Sequence, residues 1–515
     1  MIRTQSRTPS LYSYAADDPL SLVLKPPATE SDEERERRIR AEIEAKLVSD
    51  RIDEQIRTER EQKKRNNMEV KLLLLGQAES GKSTLQKQFQ LFYAPASLDE
   101  ERDSWRAVVF FNVVRNIKRI LQALDALNLT PNSPPPTSVP VAGPSSLPFD
   151  AGNEQDLDAE AVAADVDNGD GPMTNLSMAA RTELATLKLK LSPLLSAEAG
   201  LADRLSGGVQ VGALAKRRGG GVYVRTGWQT TMSVSGRKRR HSEENDSKGK
   251  EVQDGEQRTR DVIQKELEDI SSLLYACRED VKALWAHAAV RSLIDKRKLR
   301  LQESAEHFLN SIDRVSEKDY SPSTDDILRV RLQTMGIASH EFTVQVSGKS
   351  ILWHLFDVGG ARGQRHTWVP YFDDANAIIF LAPVSAFDQY LEEEPKMNRI
   401  NDSLQLFTQI CSNELLKRVH LVLFLNKTDV LKQKLAAKVA VKRYIPSYGD
   451  RPNTYEAVVE YFRTHFLQVH RKNNEEHRVL YTHQTSVVDT STTQSVIRNV
   501  RDSIFRGYLQ DASLV

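Results

Sequence analysis

The chain has 515 residues, 39% of them apolar and 28% charged, with 71 Lys plus Arg against 71 Asp plus Glu. That is enough apolar material for a sizeable core, and a net charge of zero gives no electrostatic case for a nucleic-acid partner. Two cysteines far apart in sequence, Cys277 and Cys411, supply neither a disulfide framework nor a zinc ligand set, as in a chain kept reduced.

Residues 1–30 mix Ser, Pro and Asp with few apolar positions, the composition of a disordered segment. No apolar signal-peptide core follows Met1. With no Gly at position 2 and no cysteine nearby, neither myristoylation nor N-terminal palmitoylation is expected. Ser31 followed by Glu34 is a capping-box pattern, and Ile39, Ile43, Leu47, Ile52 and Ile56 then form one thin apolar stripe on a charged helix that runs to about residue 66. Such a stripe is either solvated or docks a partner. The apolar run 70–75 reads as a buried parallel strand, with a helix following from Lys82 to about residue 92 and a second over 98–128. Residues 130–258 change character: prolines, then an acidic Ala-rich stretch, then basic clusters including Arg237–Arg240. They read as a mostly disordered insertion with one short helix near 175–200.

Helical periodicity returns over 259–314. Strand candidates at 342–346, 352–358, 377–384, 420–426 and 479–482 then alternate with helix candidates near 365–372, 396–412, 454–466 and 492–509, the last opened by a Ser491/Gln494 capping box. This alternation predicts an α/β doubly wound sheet, with the earlier helices forming an all-α module inserted before its second strand. No apolar run reaches the roughly 20 residues of a membrane-spanning helix.

Three motifs carry chemistry. Gly76-Gln77-Ala78-Glu79-Ser80-Gly81-Lys82-Ser83 fits a phosphate-binding P-loop, with a strand before it and a helix after it. Loop and helix N–H groups face the phosphates, Lys82 neutralises β- and γ-phosphate charge, and the Ser83 hydroxyl is a Mg²⁺ ligand. Asp357-Val358-Gly359-Gly360 ends an apolar strand, where a carboxylate can hold Mg²⁺ through water and Gly360 frees an N–H for the γ-phosphate. Asn426-Lys427-Thr428-Asp429 follows another strand. The Asp429 carboxylate can accept both donors of a guanine edge and Asn426 can bridge base and loop, which argues guanine rather than adenine and against an ATP-using kinase.

Together the motifs resemble the Ras-like GTPases, and the long α-module between the first two resembles the α subunits of heterotrimeric G proteins over roughly 31–129 and 259–515. The resemblance extends through Thr84, through Glu303-Ser304-Ala305, which matches the stretch of the helical domain that faces the nucleotide, and through 326–336, which matches switch I. It implies a Ras-like doubly wound P-loop GTPase domain (67–94 and 327–515), an inserted all-α helical domain (95–326) and an N-terminal helix (31–66). It implies GTP or GDP as ligand and Mg²⁺ as cofactor, with Leu328, Arg329 and Val487 joining the nucleotide site, Arg331 as the arginine finger and Thr334 as the second Mg²⁺ ligand. The implied partners are a Gβγ dimer at the N-terminal stripe and at switch II (Arg362, Arg365, Trp368), a G-protein-coupled receptor at the last helix and tail, and effectors and regulators of GTPase activity. The location expected is cytoplasmic, at the inner face of the plasma membrane through partners.

Two departures from the family bear on catalysis. Ala361 stands where the family has the glutamine that orients the attacking water, and losing one preorganised donor slows such reactions by about 10²–10³-fold. Ala78 replaces a family glycine, adding a Cβ beside the γ-phosphate. Gln364, three residues past Ala361, is expected to point elsewhere. Both changes predict slow hydrolysis. The alternative is a GTP-sensing binding module or scaffold with little or no hydrolysis. The family's guanine loop reads Thr485-Ser486-Val487-Val488 here, with Val487 offering its N–H to the base. The run 392–394 reads as a solvated helix start, and the histidines show no metal-ligand spacing.

Overall fold

The computed structural model describes residues 31–65, 69–128, 177–206, 223–224, 228, 248–296, 299, 301–334, 336–346, 348–391, 393–474 and 478–511. The disorder expected for 1–30, most of the 130–258 insertion including its basic cluster, and the C-terminal end of the tail fall outside these residues.

The chain divides into two units, 1–69 and 70–515. The described part of the first is a single helix, α1 (Asp32–Arg65), and every residue of its predicted stripe is exposed, from Ile39 at 40% to Leu47 at 60%.

The second unit is built on a six-stranded sheet in the order β4-β5-β1-β6-β7-β8. Its strands are β1 (Glu69–Leu75), β4 (Ile337–Val346), β5 (Lys349–Val358), β6 (Ala377–Pro383), β7 (His420–Asn426) and β8 (Leu480–Gln484). β1, β6, β7 and β8 run parallel, and β4 and β5 form an antiparallel hairpin at one edge. The central strands carry the uninterrupted apolar runs 72–75, 377–383 and 421–425 because both faces of the sheet are covered there. On one face Leu73, Ile378, Phe380, Leu421 and Leu423 pack with residues of α7 (Arg399–Ser412), α8 (Thr428–Ala436) and α9 (Tyr455–Lys472). On the other lie α2 (Lys82–Tyr93) and α10 (Thr490–Asp511), with Phe89 of α2 stacked against Phe342 and near Trp353 of the hairpin.

A second apolar core is purely helical. It joins α3 (Pro95–Asn128), α4 (Met178–Ser206), α5 (Lys248–Ala286) and the short turns that follow. The helix expected near 175–200 is therefore longer, 29 residues. Its leucines 184, 187, 191, 194, 201 and 205 face the core, so this part of the insertion is an integral wall of the module. Two strands went unforeseen: β2 (Tyr223–Val224), from the insertion, pairs in parallel with β3 (Gln333–Thr334). The run expected to be helical near 365–372 is a 3₁₀ segment, Arg362–Tyr371, and of the helix start expected at 392–394 the described residues 393 and 394 are not helical: Glu394 instead accepts from Arg362, and α7 starts at Arg399, capped by Asn398. α10 is capped by Asp489 rather than Ser491, its carboxylate accepting from the Thr492 amide at 3.2 Å and the Thr492 hydroxyl at 2.6 Å.

Candidate functional site

A cavity of about 630 Å³ opens where the two cores meet. Every residue assigned above to nucleotide or Mg²⁺ lines it except Ser80, which is fully buried behind the loop.

β1 ends at Leu75, and the loop 76–81 carries the chain into α2. Gly81, at φ 103°, caps α2 without any side chain, which leaves the first-turn N–H groups open to an anion. Lys82 Nζ donates to the carbonyls of Gly76 (3.0 Å) and Gln77 (2.8 Å), and burial pulls its pKa down to about 8. A Cβ on Gly360 would stand 2.5 Å from Lys82 Nζ and from the Ala78 amide, so only glycine lets strand end and phosphate loop approach this closely.

Three side chains converge beside Lys82. Ser83 Oγ donates to Asp357 Oδ2 at 2.6 Å, Thr334 Oγ1 donates to the same oxygen at 3.1 Å, and the two hydroxyls are 3.0 Å apart. Asp357 is almost fully buried, and its other oxygen, Oδ1, has no partner among the described residues. Two hydroxyls and a buried carboxylate with a spare oxygen form a hard-cation donor set, so these residues fit the implied Mg²⁺.

Thr334 is brought here from the helical side. α6 (Thr324–Arg329) is opened by a Ser323 capping box closed by Asp326. Asp326 is completely buried. It accepts from Arg314 at 2.7 and 2.9 Å, from Tyr320 at 3.0 Å and from the Ser323 amide at 2.9 Å, with His307 Nε2 at 2.8 Å. Burial raises its pKa, but the hydrogen bonds from Arg314, His307 and Ser323 outweigh that and hold the carboxyl far below its usual range. Just beyond, Asn112 of α3 grips the Arg331 backbone from both sides, accepting from its N–H and donating to its carbonyl, each at 3.2 Å. The Arg331 guanidinium pairs with Glu79. Burial pushes Glu79 up, but Arg331, Arg399 and Lys427 prevail and hold it at about 2.

At the opposite end, Asn426 ties two loops together: Nδ2 donates to the Ser80 carbonyl at 2.8 Å, and Oδ1 accepts from Thr485 Oγ1 at 3.1 Å and from the Val487 amide at 3.2 Å. The Val487 N–H expected to face a base is thus shared with Asn426. Asp429, half-buried in the first turn of α8, has no hydrogen bond or ion pair among the described residues, which leaves both carboxylate oxygens for a ligand. Lys427 pairs with Glu303 of the helical module at 2.6 Å.

Sequence reasoning missed Arg399, Asn112 and the true place of Gln364. Buried Arg399 holds the phosphate loop through Gln77 (2.9 Å), the Ala78 carbonyl and Glu79 (3.3 Å). Arg365, read as a switch II surface residue, forms a two-bond pair with buried Asp402 at 2.6 and 3.0 Å. Gln364 does not point away. In a 3₁₀ turn the side chains at i and i+3 eclipse. The Gln364 N–H bonds the Ala361 carbonyl at 2.9 Å, and the side chain follows Ala361 into the cavity wall.

A family model described as G-protein alpha subunit matches residues 46–504. The guanine nucleotide-binding protein alpha-4 subunit of Mycosarcoma maydis is 30% identical over 97% of this chain and 96% of its own length. The alpha-3 subunit of Caenorhabditis elegans is 36% identical over 45% of this chain and 64% of its own. A guanine nucleotide-binding protein subunit alpha of Coprinellus congregatus is 26% identical over 92% and 97% respectively.

Proposed function

The chain belongs to the G-protein alpha subunit family, and on that premise we propose that it is a GTP/GDP switch coupling a membrane receptor to effectors, with slow GTP hydrolysis as its timer. The observation that carries the reading is the cluster of Ser83, Thr334 and Asp357 beside Lys82, with Arg331 on the same cavity wall and a methyl group, Ala361, where the family has its glutamine. Ser83, Thr334 and Asp357 would hold Mg²⁺, which when bound would neutralise charge on the β- and γ-phosphate oxygens. Lys82 releases the two loop carbonyls to grip phosphate, and Asp429 reads the guanine edge. Arg331 leaves Glu79 to meet charge developing on the γ-phosphate. The exposed stripe of α1 supports docking of a Gβγ dimer, whereas of the switch II residues Arg365 is paired with Asp402 and Trp368 is buried, so they would have to turn outward to take part; α10 would meet the receptor at the cytoplasmic face of the plasma membrane.

The test is a single turnover of γ-labelled GTP. Wild type is expected to be slow, Ala361→Gln faster and Arg331→Ala slower still, by about 10²–10³-fold as for loss of a single charge-stabilising donor. A wild-type chain that binds GTP, releases no phosphate and gains nothing from Ala361→Gln is a GTP-sensing binding module, the reading favoured if Arg331 never leaves Glu79.

A further inference from the structure

We propose that Gln364 is a catalytic residue of this chain, supplying from the next 3₁₀ turn the carboxamide that Ala361 lacks. Its oxygen and the Thr334 main-chain carbonyl together accept hydrogen bonds from the water that attacks the γ-phosphate. This rests on the hydrolysis reading above and names the group that performs it.

Four observations converge. First, the 3₁₀ turn closed by the Gln364 N–H on the Ala361 carbonyl stacks the longer side chain over the methyl group, so it enters the same stretch of cavity wall. Second, Gln364 Oε1 is buried and has no partner among the described residues, although buried acceptors are nearly always satisfied. Third, a methyl group placed on Gly359 would collide with Gln364 Oε1 and lie 2.9 Å from the Thr334 carbonyl. The two acceptor oxygens therefore lie beside the same point, and a small swing of the buried carboxamide toward the cavity that Gln364 lines would let a single water reach both. Fourth, the segment is anchored around that point: Trp368 Nε1 donates to the Gly359 carbonyl at 2.9 Å, and Thr367 Oγ1 to the Gln364 carbonyl at 2.7 Å.

A water that donates both hydrogens to carbonyl-type oxygens directs its remaining lone pairs away from them. Gly360, the next residue, lies against Lys82 Nζ, where the terminal phosphate is gripped. In the reaction the water oxygen forms a bond to the γ-phosphorus while the bond from that phosphorus to the β,γ-bridging oxygen breaks. The electron pair stays on the bridging oxygen, which becomes a terminal oxygen of GDP, and both hydrogens leave on the inorganic phosphate as dihydrogen phosphate. Gln364 holds the water and ends the cycle unchanged. It lacks the adjacency to Gly360 that residue 361 has, which accounts for a slow rather than an absent reaction.

Single-turnover release from γ-labelled GTP is compared for wild type, Gln364→Ala, Ala361→Gln and the double variant, with binding of a fluorescent GTPγS measured on each. Gln364→Ala is expected to slow release by about 10–10²-fold while analogue affinity stays within about twofold, because the carboxamide acts on the water and not on the bound nucleotide. In the Ala361→Gln background the same substitution should cost little, since the glutamine introduced there orients the water; this rescue also shows that the Gln364→Ala chain folds. If wild type hydrolyses and Gln364→Ala is equally fast, Gln364 has no such role and the GTPase reading stands. If wild type binds the analogue and releases no phosphate, the GTPase reading fails and the proposal with it. Equal losses from Gln364→Ala in both backgrounds would overturn the proposal in favour of a general support of the segment.

Discussion

Lys82 shows how one buried residue is set for its ligand. Burial of the amine lowers its pKa from 10.5 to about 8, against the opposing pull of Asp357. Between those two values the unfolded chain binds more protons than the folded one, so the stability of the nucleotide-free protein rises with pH across that window. A bound phosphate reverses the preference, since it favours the charged amine. Above about pH 8 nucleotide binding must therefore take up a proton, and affinity is expected to fall by up to about tenfold per pH unit. Fluorescent-nucleotide titrations between about pH 7 and 9 check this, with Lys82→Met as the reference; a wild-type slope no steeper than the variant's would refute it. Lys82 was legible in the sequence because a phosphate loop is local: strand, glycines, lysine and helix lie within one short stretch, and the backbone does the binding. Arg399 was not, because it reaches Gln77 from 322 positions away and only the sheet brings them together. The direction of Gln364 is not legible for a local reason: the spacing suggests an α-helical turn, whereas the chain, with Pro370 inside the segment, makes a 3₁₀ one.

At the scale of elements, the sheet and its crossing helices were legible because uninterrupted apolar runs mark strands covered on both sides. What hydrophobic pattern could not supply was β2, two residues from the insertion that pair with Gln333 and Thr334, beside the cluster of Ser83, Thr334 and Asp357. A two-residue strand has too few positions to show alternation. Close by, Trp228 meets Trp105 of α3 edge to face at 4.9 Å, and Trp105 carries Lys87 over its ring at 4.1 Å. The insertion thus braces the 333–334 segment from outside, and an aromatic pair of this kind contributes about 0.5–1.5 kcal/mol beyond its buried area. Trp228→Ala is expected to speed backbone hydrogen exchange at 333–334 by up to about tenfold, with a small change in melting temperature. Unchanged exchange there would mean that Trp228 rests beside the 333–334 segment without holding it.

Across the whole of the second unit, the cavity exists only while the helical core and the sheet core stay together, so the ties between them are expected to govern release of a nucleotide held there. Those ties differ in kind. Lys427–Glu303 is a charge pair at the mouth with Glu303 partly exposed, and such pairs contribute about 0.2–1 kcal/mol. Asn112 is completely buried, and its two bonds to the Arg331 backbone are sheltered on the Asn112 side from water. Leaving buried backbone groups unsatisfied costs about 1–3 kcal/mol. The motifs in the sequence drew attention to the first tie, since Lys427 and Glu303 both lie in recognisable stretches, yet the energetics favour the second, which no motif marks. Release of fluorescent GDP is therefore expected to quicken by no more than about fivefold in Glu303→Ala and by about tenfold or more in Asn112→Ala. Raised salt should erase much of the first effect and little of the second, because only the exposed pair is screened. A larger effect from Glu303→Ala, or salt sensitivity in both, would assign the closure of the cleft to its charged rim and not to the buried clamp on switch I.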